Sequence, residues 1–168
     1  MYLSNETVII LLGGNMPNSL ETINKTVIKA ETDNIFKLKK SSSLWESEPW
    51  GFNCSNNFIN QIVEVKTKHS PTQLLEKLLK LEKTMGREKI KSSKRYSSRV
   101  IDIDILFYED RIISSELLQI PHPRLHLRRF TLEPLQEKWG DLIHPKLNIS
   151  VKEILKGCKD KGFVKKIN

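Results

Sequence analysis

The chain has few cysteines and no long apolar segment. Cys54 and Cys158 are its only cysteines and form no C-x-x-C motif, so no disulfide framework is expected and a reducing cytosol fits best. The longest unbroken apolar run, Val8 to Leu12, is five residues, whereas a membrane-spanning helix needs about 20. The first basic residue is Lys25, which is too late for the charged start of a secretory signal. We therefore expect a cytoplasmic protein with no membrane partner.

The sequence also lacks the short motifs of several enzyme classes. The turn Gly13-Gly14-Asn15 fits neither G-x-x-x-x-G-K-[ST] nor G-x-G-x-x-G, which argues against a P-loop and against a Rossmann dinucleotide site. No G-x-S-x-G motif is present and neither cysteine lies near a histidine in a motif, so covalent catalysis has no candidate nucleophile. No further Cys or His lies at a spacing that would close a tetrahedral zinc site around His122 or His126.

What the chain does have is positive charge. Its 168 residues include 28 Lys and Arg against 20 Asp and Glu, a formal net charge of +8. This charge predicts attraction to anions, but it does not distinguish the phosphates of a small molecule from those of nucleic acid or a membrane. The length predicts one domain over residues 1–168, and an apolar content of 38% is ordinary for a globular protein.

The apolar pattern predicts an α+β fold. Four segments have the β-branched or alternating composition of strands, namely residues 7–12, 35–45, 57–67 and 100–108. A helix follows the first strand and another precedes the fourth. This β-α-β-β-α-β order is that of the ferredoxin-like fold, in which both helices pack on one face of a four-stranded antiparallel sheet. The other face is then open, and C-terminal additions after Tyr108 are expected to cover part of it.

Capping signals predict where these helices begin and end. Asn18 with Glu21 forms a capping-box pattern, and Ser70-Pro71-Thr72-Gln73 forms a stronger one because proline suits the first helical position. Gly86 is expected to end the second helix near Met85. Apolar residues at helical spacing predict the buried face of the first helix: Leu20, Ile23, Val27 and Ile28.

Two carboxylates are predicted on the open face of the last strand. Strict alternation puts four residues toward the helices: Ile101, Ile103, Ile105 and Phe107. Asp102 and Asp104 then lie on the opposite face, about 7 Å apart along the strand. Such a pair suits Mg²⁺, which takes one or two carboxylates while water and substrate phosphates complete its octahedron. A strand with polar residues facing water is the alternative.

Aromatic, amide and acidic residues are predicted near this pair. The alternation of the third strand places Phe58 and Asn60 on the same open face, where they form a stacking surface beside an amide. Glu82 lies on an otherwise apolar helical face and is expected near the sheet or its rim. For Phe58 the alternative is a ring covered by a loop. For Glu82 the alternative is a surface acid exposed to solvent.

Two basic segments accompany the carboxylates. The segment from Lys83 to Arg99 is rich in Lys and Arg, leads directly into the Asp102 strand and is predicted to fold over a polyphosphate. A solvated loop is the alternative. The second segment, His122 to Phe130, adds further donors and an aromatic ring.

The sequence from Arg99 to Leu106, R-V-I-D-I-D-I-L, resembles the signature of the 6-hydroxymethyl-7,8-dihydropterin pyrophosphokinases of folate biosynthesis. The resemblance continues in the right order from the turn at Gly13 to Pro134-Leu135. It implies the ferredoxin-like fold and the transfer of a pyrophosphoryl group from ATP to the hydroxymethyl oxygen of the pterin, with AMP leaving.

The resemblance also implies roles for particular residues. Asp102 and Asp104 would hold two Mg²⁺ ions on the triphosphate, and Arg87 and Arg99 would act with them as catalytic residues. The pterin-binding set is Ser47, Trp50, Phe58, Asn60 and Phe130. The ATP-binding set is Glu82, Arg87, Lys89, Tyr96, Arg99, Ile105, His122 and Arg128.

Two other classes of protein fit parts of the pattern. An RNA-binding ferredoxin-like domain would suit the basic charge and an exposed Phe58, but its RNP motif is missing and the two aspartates would repel backbone phosphate. A catalytically silent nucleotide-binding module would be expected to lack at least one of the site residues. We therefore expect a monomeric enzyme with small-molecule substrates and no nucleic-acid partner.

Overall fold

The computed structural model describes residues 5–52, 54–86 and 99–167 and has an α+β fold. The strands are Glu6–Gly14 (β1), Lys37–Ser41 (β2), Trp45–Ser47 (β3), Phe58–Thr67 (β4), Asp102–Tyr108 (β5), Ile113–Ser114 (β6), Gln119–Ile120 (β7) and Val164–Lys166 (β8). The helices in these ranges are Ser19–Thr32 (α1), Pro71–Thr84 (α2), Arg129–Trp139 (α3) and Val151–Gly157 (α4), with a short 3₁₀ turn at Leu125–Leu127. None of the helices in the described part of the chain is long and apolar enough to cross a membrane.

The main sheet is antiparallel. Strand β1 lies between β5 and β4; β4 also pairs with β2 and β3, and β8 pairs with β3. The segment predicted as one strand over residues 35–45 forms two short strands, because the first strand ends at Ser41 and the second begins at Trp45. The Ser42 hydroxyl there accepts the amide hydrogen of Ile62, while its own amide donates to the Ile62 carbonyl. With β8, the sheet described by the structure has six strands rather than the predicted four.

Helices α1 and α2 cover one face of the sheet, as predicted. The core on this side holds alternate residues of the central strands, with Ile23 from α1 and Leu74, Leu78 and Leu81 from α2. Ile101, Ile103 and Ile105 all point into this core, and each is 5% exposed or less. Burial of such aliphatic side chains stabilises the fold by about 1.5–3 kcal/mol each.

The opposite face is covered over much of its area by α3 and α4. A second core joins strand residues such as Ile9, Leu11 and Ile62 to Leu132, Leu135 and Trp139 of α3 and to Val151 and Ile154 of α4. The expectation that the C-terminal additions cover part of the open face is met. The part left uncovered lies at the end of the sheet where Gly13 is paired with Asn60 on one side and Asp102 on the other.

The predicted alternation along β5 is wrong at one residue. Phe107 packs in the second core with Leu106, rather than toward α1 and α2. The cause is a shift in register between Ile9 and Ile10, where Ile9 faces Phe107 but Ile10 faces Ile105. One extra residue on β5 reverses the faces beyond it, and the two aspartates lie before the shift and keep their predicted side.

The helix starts follow the sequence only in part. Ser70 forms the predicted capping box with Gln73, and α2 ends before Gly86, whose φ is +102°. At α1, the Asn18 side chain makes no capping hydrogen bond within the described residues, since its backbone is not in the extended region that favours capping. The Ser19 hydroxyl instead bonds the backbone of Met16. Leu20 and Ile28 are 46% and 63% exposed, so the predicted buried face of α1 is also wrong at these positions.

Candidate active site

A cavity of about 250 Å³ opens at the uncovered end of the sheet. Its floor comes from β1, β4 and β5, and its walls come from the loop after β3 and from the start of α3. The side chains that line it include most of the residues predicted for the site: Ser47, Trp50, Phe58, Asn60, Arg99, Asp102, Asp104, Arg128 and Phe130. The sheet register explains this convergence, because it brings the ends of three strands to one place.

Asp102 and Asp104 both face this cavity, on the side of β5 predicted from the alternation. Asp102 accepts a hydrogen bond from Arg99 at 2.5 Å. Oδ2 of Asp104 lies 4.0 Å from His122 Nε2 and 4.0 Å from Arg128 Nη1. These two separations are too long for hydrogen bonds, and the Asp104 side chain keeps 42% of its surface exposed. The arrangement leaves Asp104 accessible to an incoming group.

Two groups beside Asp104 have shifted pKa values. Burial lowers the pKa of His122, and the opposing effect of Asp104 does not restore it. Burial also lowers the pKa of Arg128, although Asp104 partly offsets this effect. The Arg128 Nε atom is buried and has no hydrogen-bond partner among the described residues. Arg128 is thus a desolvated cation with a donor still unused.

Aromatic rings form the other end of the cavity. The Arg128 guanidinium lies 4.9 Å from the centre of the Trp50 ring and 5.6 Å from that of Phe130. Phe58 packs edge-on against Phe52, with ring centres 6.1 Å apart. Flat apolar surfaces of this kind bind a planar ring by stacking. The same guanidinium therefore links the aromatic end to the carboxylate end.

A buried polar pair also lines the cavity. Asn60 donates from Nδ2 to the Ser47 hydroxyl at 2.9 Å, and both residues are 2% exposed. Gly13 on the neighbouring strand makes room for this amide, because a Cβ there would lie only 2.9 Å from Asn60 Oδ1. The pair can present hydrogen-bonding groups to one edge of a bound ring.

Asn15 is a site-forming residue that the sequence patterns did not single out. Its side-chain Oδ1 accepts a hydrogen bond from the backbone amide of Arg99 at 2.7 Å. The backbone amide of Asn15 in turn donates to the Arg99 carbonyl at 3.2 Å. Asn56 donates to the Asn15 carbonyl, which joins the loop after β3 to the same point. Asn15 therefore fixes the backbone that carries Arg99. Only its place in a turn could have suggested it.

Two residues of the predicted ATP set lie away from the cavity surface. Glu82 is 3% exposed, and its carboxylate accepts the backbone amide of Ile103 at 2.7 Å. It thereby holds the strand between Asp102 and Asp104. The alternative of a solvated surface acid is wrong. The Ile105 side chain lies in the core beneath α1 and α2, on the side of β5 opposite the carboxylates. Arg87, Lys89 and Tyr96 lie outside the described residues.

Arg124 and Phe52 also line the cavity, although neither was in a predicted set. Paired carboxylates beside arginines suit a cation and the phosphates of a nucleotide, and the aromatic end suits a flat acceptor. These features fit a nucleotide-dependent transferase.

Comparison with known proteins agrees with this class. Residues 9–139 match the family model described as 7,8-dihydro-6-hydroxymethylpterin-pyrophosphokinase (HPPK). The chain is 39% identical over 147 residues to the 2-amino-4-hydroxy-6-hydroxymethyldihydropteridine pyrophosphokinase of Aquifex aeolicus, covering 88% of this chain and 89% of that protein. It is 31% identical over 159 residues to the enzyme of the same name from Haemophilus influenzae, covering 95% and 97%.

Some relatives are much longer. The folic acid synthesis protein fol1 of Pneumocystis carinii is 41% identical over 149 residues, but the match covers 89% of this chain and only 20% of that protein. The structure of Plasmodium falciparum HPPK-DHPS has a similar fold, with a TM-score of 0.72 at 16% identity, over 92% of this chain and 41% of that one.

The chain belongs to the 7,8-dihydro-6-hydroxymethylpterin-pyrophosphokinase family. It is accordingly a pyrophosphokinase of folate synthesis, a transferase that uses ATP as its co-substrate.

Proposed function

We propose that the cavity is the active site at which the protein transfers the pyrophosphoryl group of ATP to the hydroxymethyl oxygen of 6-hydroxymethyl-7,8-dihydropterin. In this reaction the pterin oxygen bonds to the β-phosphorus, the bond from that phosphorus to the bridging oxygen of AMP breaks, and the hydroxyl proton is released. The observation that carries the assignment of the site is the convergence of Asp102, Asp104, Arg99 and Arg128 at one end of the cavity with Phe58 and Phe130 at the other.

The carboxylate end is proposed to bind the triphosphate with Mg²⁺. The described residues contain no cluster of three or more His, Cys, Asp or Glu that could hold a metal ion alone. Asp102 and Asp104 therefore suit a cation that takes its remaining ligands from water and phosphate. When bound, Mg²⁺ neutralises charge on the phosphates and lowers the barrier to attack at phosphorus. Our proposal of two ions rests on the family resemblance.

Three groups around the carboxylates are proposed to bind phosphate oxygens directly. Arg99 donates to Asp102 in the structure, and it would be able to donate to a phosphate instead if Asp102 held a metal ion. Arg128 and His122 both face Asp104 at 4.0 Å and can donate to an oxygen placed beside it. Arg87, Lys89 and Tyr96 are proposed to complete the ATP contacts on the strength of the resemblance, whereas Glu82 would act by holding the Ile103 amide.

The aromatic end is proposed to bind the pterin. Phe58 and Phe130 would stack on its ring, and Trp50 would close the same side. Asn60 and Ser47, which are both buried and line the cavity, would form hydrogen bonds with the polar edge of the pterin. Stacking of this kind is worth about 0.5–1.5 kcal/mol beyond the area it buries, so the buried amide and hydroxyl supply most of the discrimination between pterins.

The remaining features of the proposal concern the whole molecule. The strand order β5-β1-β4 followed by β2 and β3 supports a ferredoxin-like core, to which β8 is added at the edge. We propose a single domain over residues 1–168 that works as a cytoplasmic monomer on small molecules and binds no nucleic acid. Both cysteines being free thiols is consistent with a reducing compartment.

A coupled assay for AMP tests the function. Purified protein is incubated with ATP and Mg²⁺, with and without the reduced pterin alcohol, and we expect AMP only when the pterin is present. Asp104→Asn should abolish this signal, and Glu116→Gln, which changes an exposed acid elsewhere, should leave it unchanged. AMP formation that ignores the pterin, or full turnover by Asp104→Asn, would show that the assignment is wrong.

A further inference from the structure

Residues 160–166 lie beyond the part of the chain that matches the family model, yet they border the proposed active site. We call this segment the C-terminal clamp. It contacts both walls of the cavity, which are formed by residues 48–52 on one side and by the start of α3 on the other. Nothing in the local sequence of the clamp predicts such a position.

The clamp is bonded to the first wall by backbone and side chain. Strand β8 continues the sheet alongside β3, with Val164 opposite Ser47. Beyond the strand, the Glu48 amide donates to the Phe163 carbonyl at 3.2 Å, and the Phe163 amide donates to Glu48 Oε1 at 2.9 Å. Glu48 begins the loop that carries Trp50 and itself lines the cavity.

The clamp is bonded to the second wall through Asp160. Its Oδ2 atom accepts the backbone amide of Arg129 at 2.9 Å, and its Oδ1 atom accepts the amide of Gly162 at the same distance. Arg129 is the first residue of α3, and within the described residues this helix has no capping side chain of its own at Arg128. Asp160 thus supplies the missing cap and fixes the turn that carries both Arg128 and Phe130.

A second, smaller cavity lies between the clamp and the two walls. Trp50 and Phe130 line it from one side, while Gly162 and Phe163 line it from the other. Because Trp50 and Phe130 also line the main cavity, these two rings separate the clamp from the proposed pterin pocket. A displacement of the clamp would therefore change the spacing of the rings.

We propose that Asp160 and Glu48 are positioning residues which, through the C-terminal clamp, hold the two aromatic walls of the pterin pocket at a fixed spacing. The proposal rests on the proposed function. Neither residue needs to touch the substrate for this role. At the other end of the cavity, Asp102, Asp104 and Arg99 lie on β5 or just before it, whereas Arg128 is carried by the turn that Asp160 caps.

The test uses the full chain with Asp160→Ala, Glu48→Ala and the double substitution. Glu48→Gln keeps an acceptor for the Phe163 amide, and Lys161→Ala changes an exposed residue of the clamp itself. We expect Asp160→Ala to raise KM for the pterin about tenfold, equivalent to about 1.4 kcal/mol. KM for ATP should rise less than KM for the pterin, because Arg128 is the only one of the proposed phosphate-binding groups carried by the turn that Asp160 caps, and kcat at saturating pterin should change less than about twofold. Lys161→Ala should behave as wild type, and Glu48→Gln should raise KM for the pterin less than Glu48→Ala does.

The double substitution distinguishes a shared link from two local effects. If the two residues act in series through the clamp, loss of the Asp160 bond already weakens the link, and the double variant should be no worse than Asp160→Ala. Multiplied effects, an equal rise in both KM values, or a lower melting temperature with unchanged KM would each overturn the proposal.

Amide hydrogen exchange provides a readout that does not depend on turnover. Asp160→Ala should speed exchange about tenfold or more at residues 48–52, on the wall opposite Arg129, whereas Lys161→Ala should not. Unchanged exchange at these amides would contradict the clamp even in an active enzyme. A wild-type protein that releases no AMP would instead refute the proposed function. The exchange rates at residues 48–52 would still show whether the clamp holds that wall.

Discussion

Glu137 offers the most direct test of how the fold is held together near the site. Its carboxylate, on α3, accepts hydrogen bonds from the amide and hydroxyl of Ser43, from Trp45 Nε1 and from Lys166 Nζ, at 2.8 to 3.2 Å. Burial raises the pKa of Glu137, but these hydrogen bonds outweigh it and lower the value to about 2. One side chain therefore joins α3 to β3 and β8.

The expected stabilisation follows from this shift. A pKa lowered from 4.5 to about 2 corresponds to about 3 kcal/mol of stability at pH 7. Because solvent still reaches part of the carboxylate, with 14% of the side chain exposed, we expect about 2 kcal/mol in practice. A group whose pKa is lower in the folded protein than in the unfolded protein stabilises the fold at pH values above the unfolded pKa. For Glu137 this contribution is lost as the pH falls from about 4.5 toward 2.

The assay is urea unfolding of wild type and Glu137→Gln at pH 7 and at pH 3. Gln has one acceptor oxygen where the carboxylate has two, so it cannot satisfy all four donors. We expect a difference in the free energy of unfolding of about 2 kcal/mol at pH 7, falling to half or less at pH 3. Glu116→Gln serves as the exposed control. An equal difference at both pH values would refute the reasoning, as would a variant as stable as wild type.

Further predictions concern the carboxylates, Arg99 and Glu82. Asp102→Asn and Asp104→Asn should leave the melting temperature nearly unchanged, because both side chains face the cavity, but should remove Mg²⁺-dependent AMP release. Arg99→Ala should lower kcat more than it weakens ATP binding by titration calorimetry, and equal losses would indicate ground-state binding alone. Glu82→Ala should cost about 1–3 kcal/mol in thermal unfolding because it leaves the Ile103 amide unpaired. Glu82→Gln should cost less, and equal costs would show that the hydrogen bond is unimportant.

Period-two alternation was sufficient to predict the face of the sheet that carries the site. Asp102, Asp104, Phe58 and Asn60 all lie where it placed them, because backbone geometry fixes the side of a strand on which each residue lies. Phe107 does not, since the extra residue in β5 that reverses its side arises from pairing with β1 and has no local signal. Whether Asp102 and Asp104 bind metal remains a prediction.

Residues that act over long separations in sequence could not be predicted. Glu137 bonds Ser43, Asp160 bonds Arg129 and Asn15 bonds Arg99, and each pair is joined only once the sheet and α3 are in place. The capping box at Ser70 was predictable for the opposite reason, because both partners lie within four residues. Local signals therefore located the elements, and the contacts that hold the cavity walls depended on tertiary packing.

The cavity draws its walls from both hydrophobic cores. Asp102 lies on a strand beneath α1 and α2, whereas Phe130 belongs to α3, which packs on the opposite face of the sheet. A local opening that detaches α3 and α4 would therefore dismantle the binding site while leaving the first layer folded. Substrate at about 100 times its dissociation constant adds about 2.7 kcal/mol against any such opening, so occupancy of the site would by itself hold α3 and α4 on the sheet.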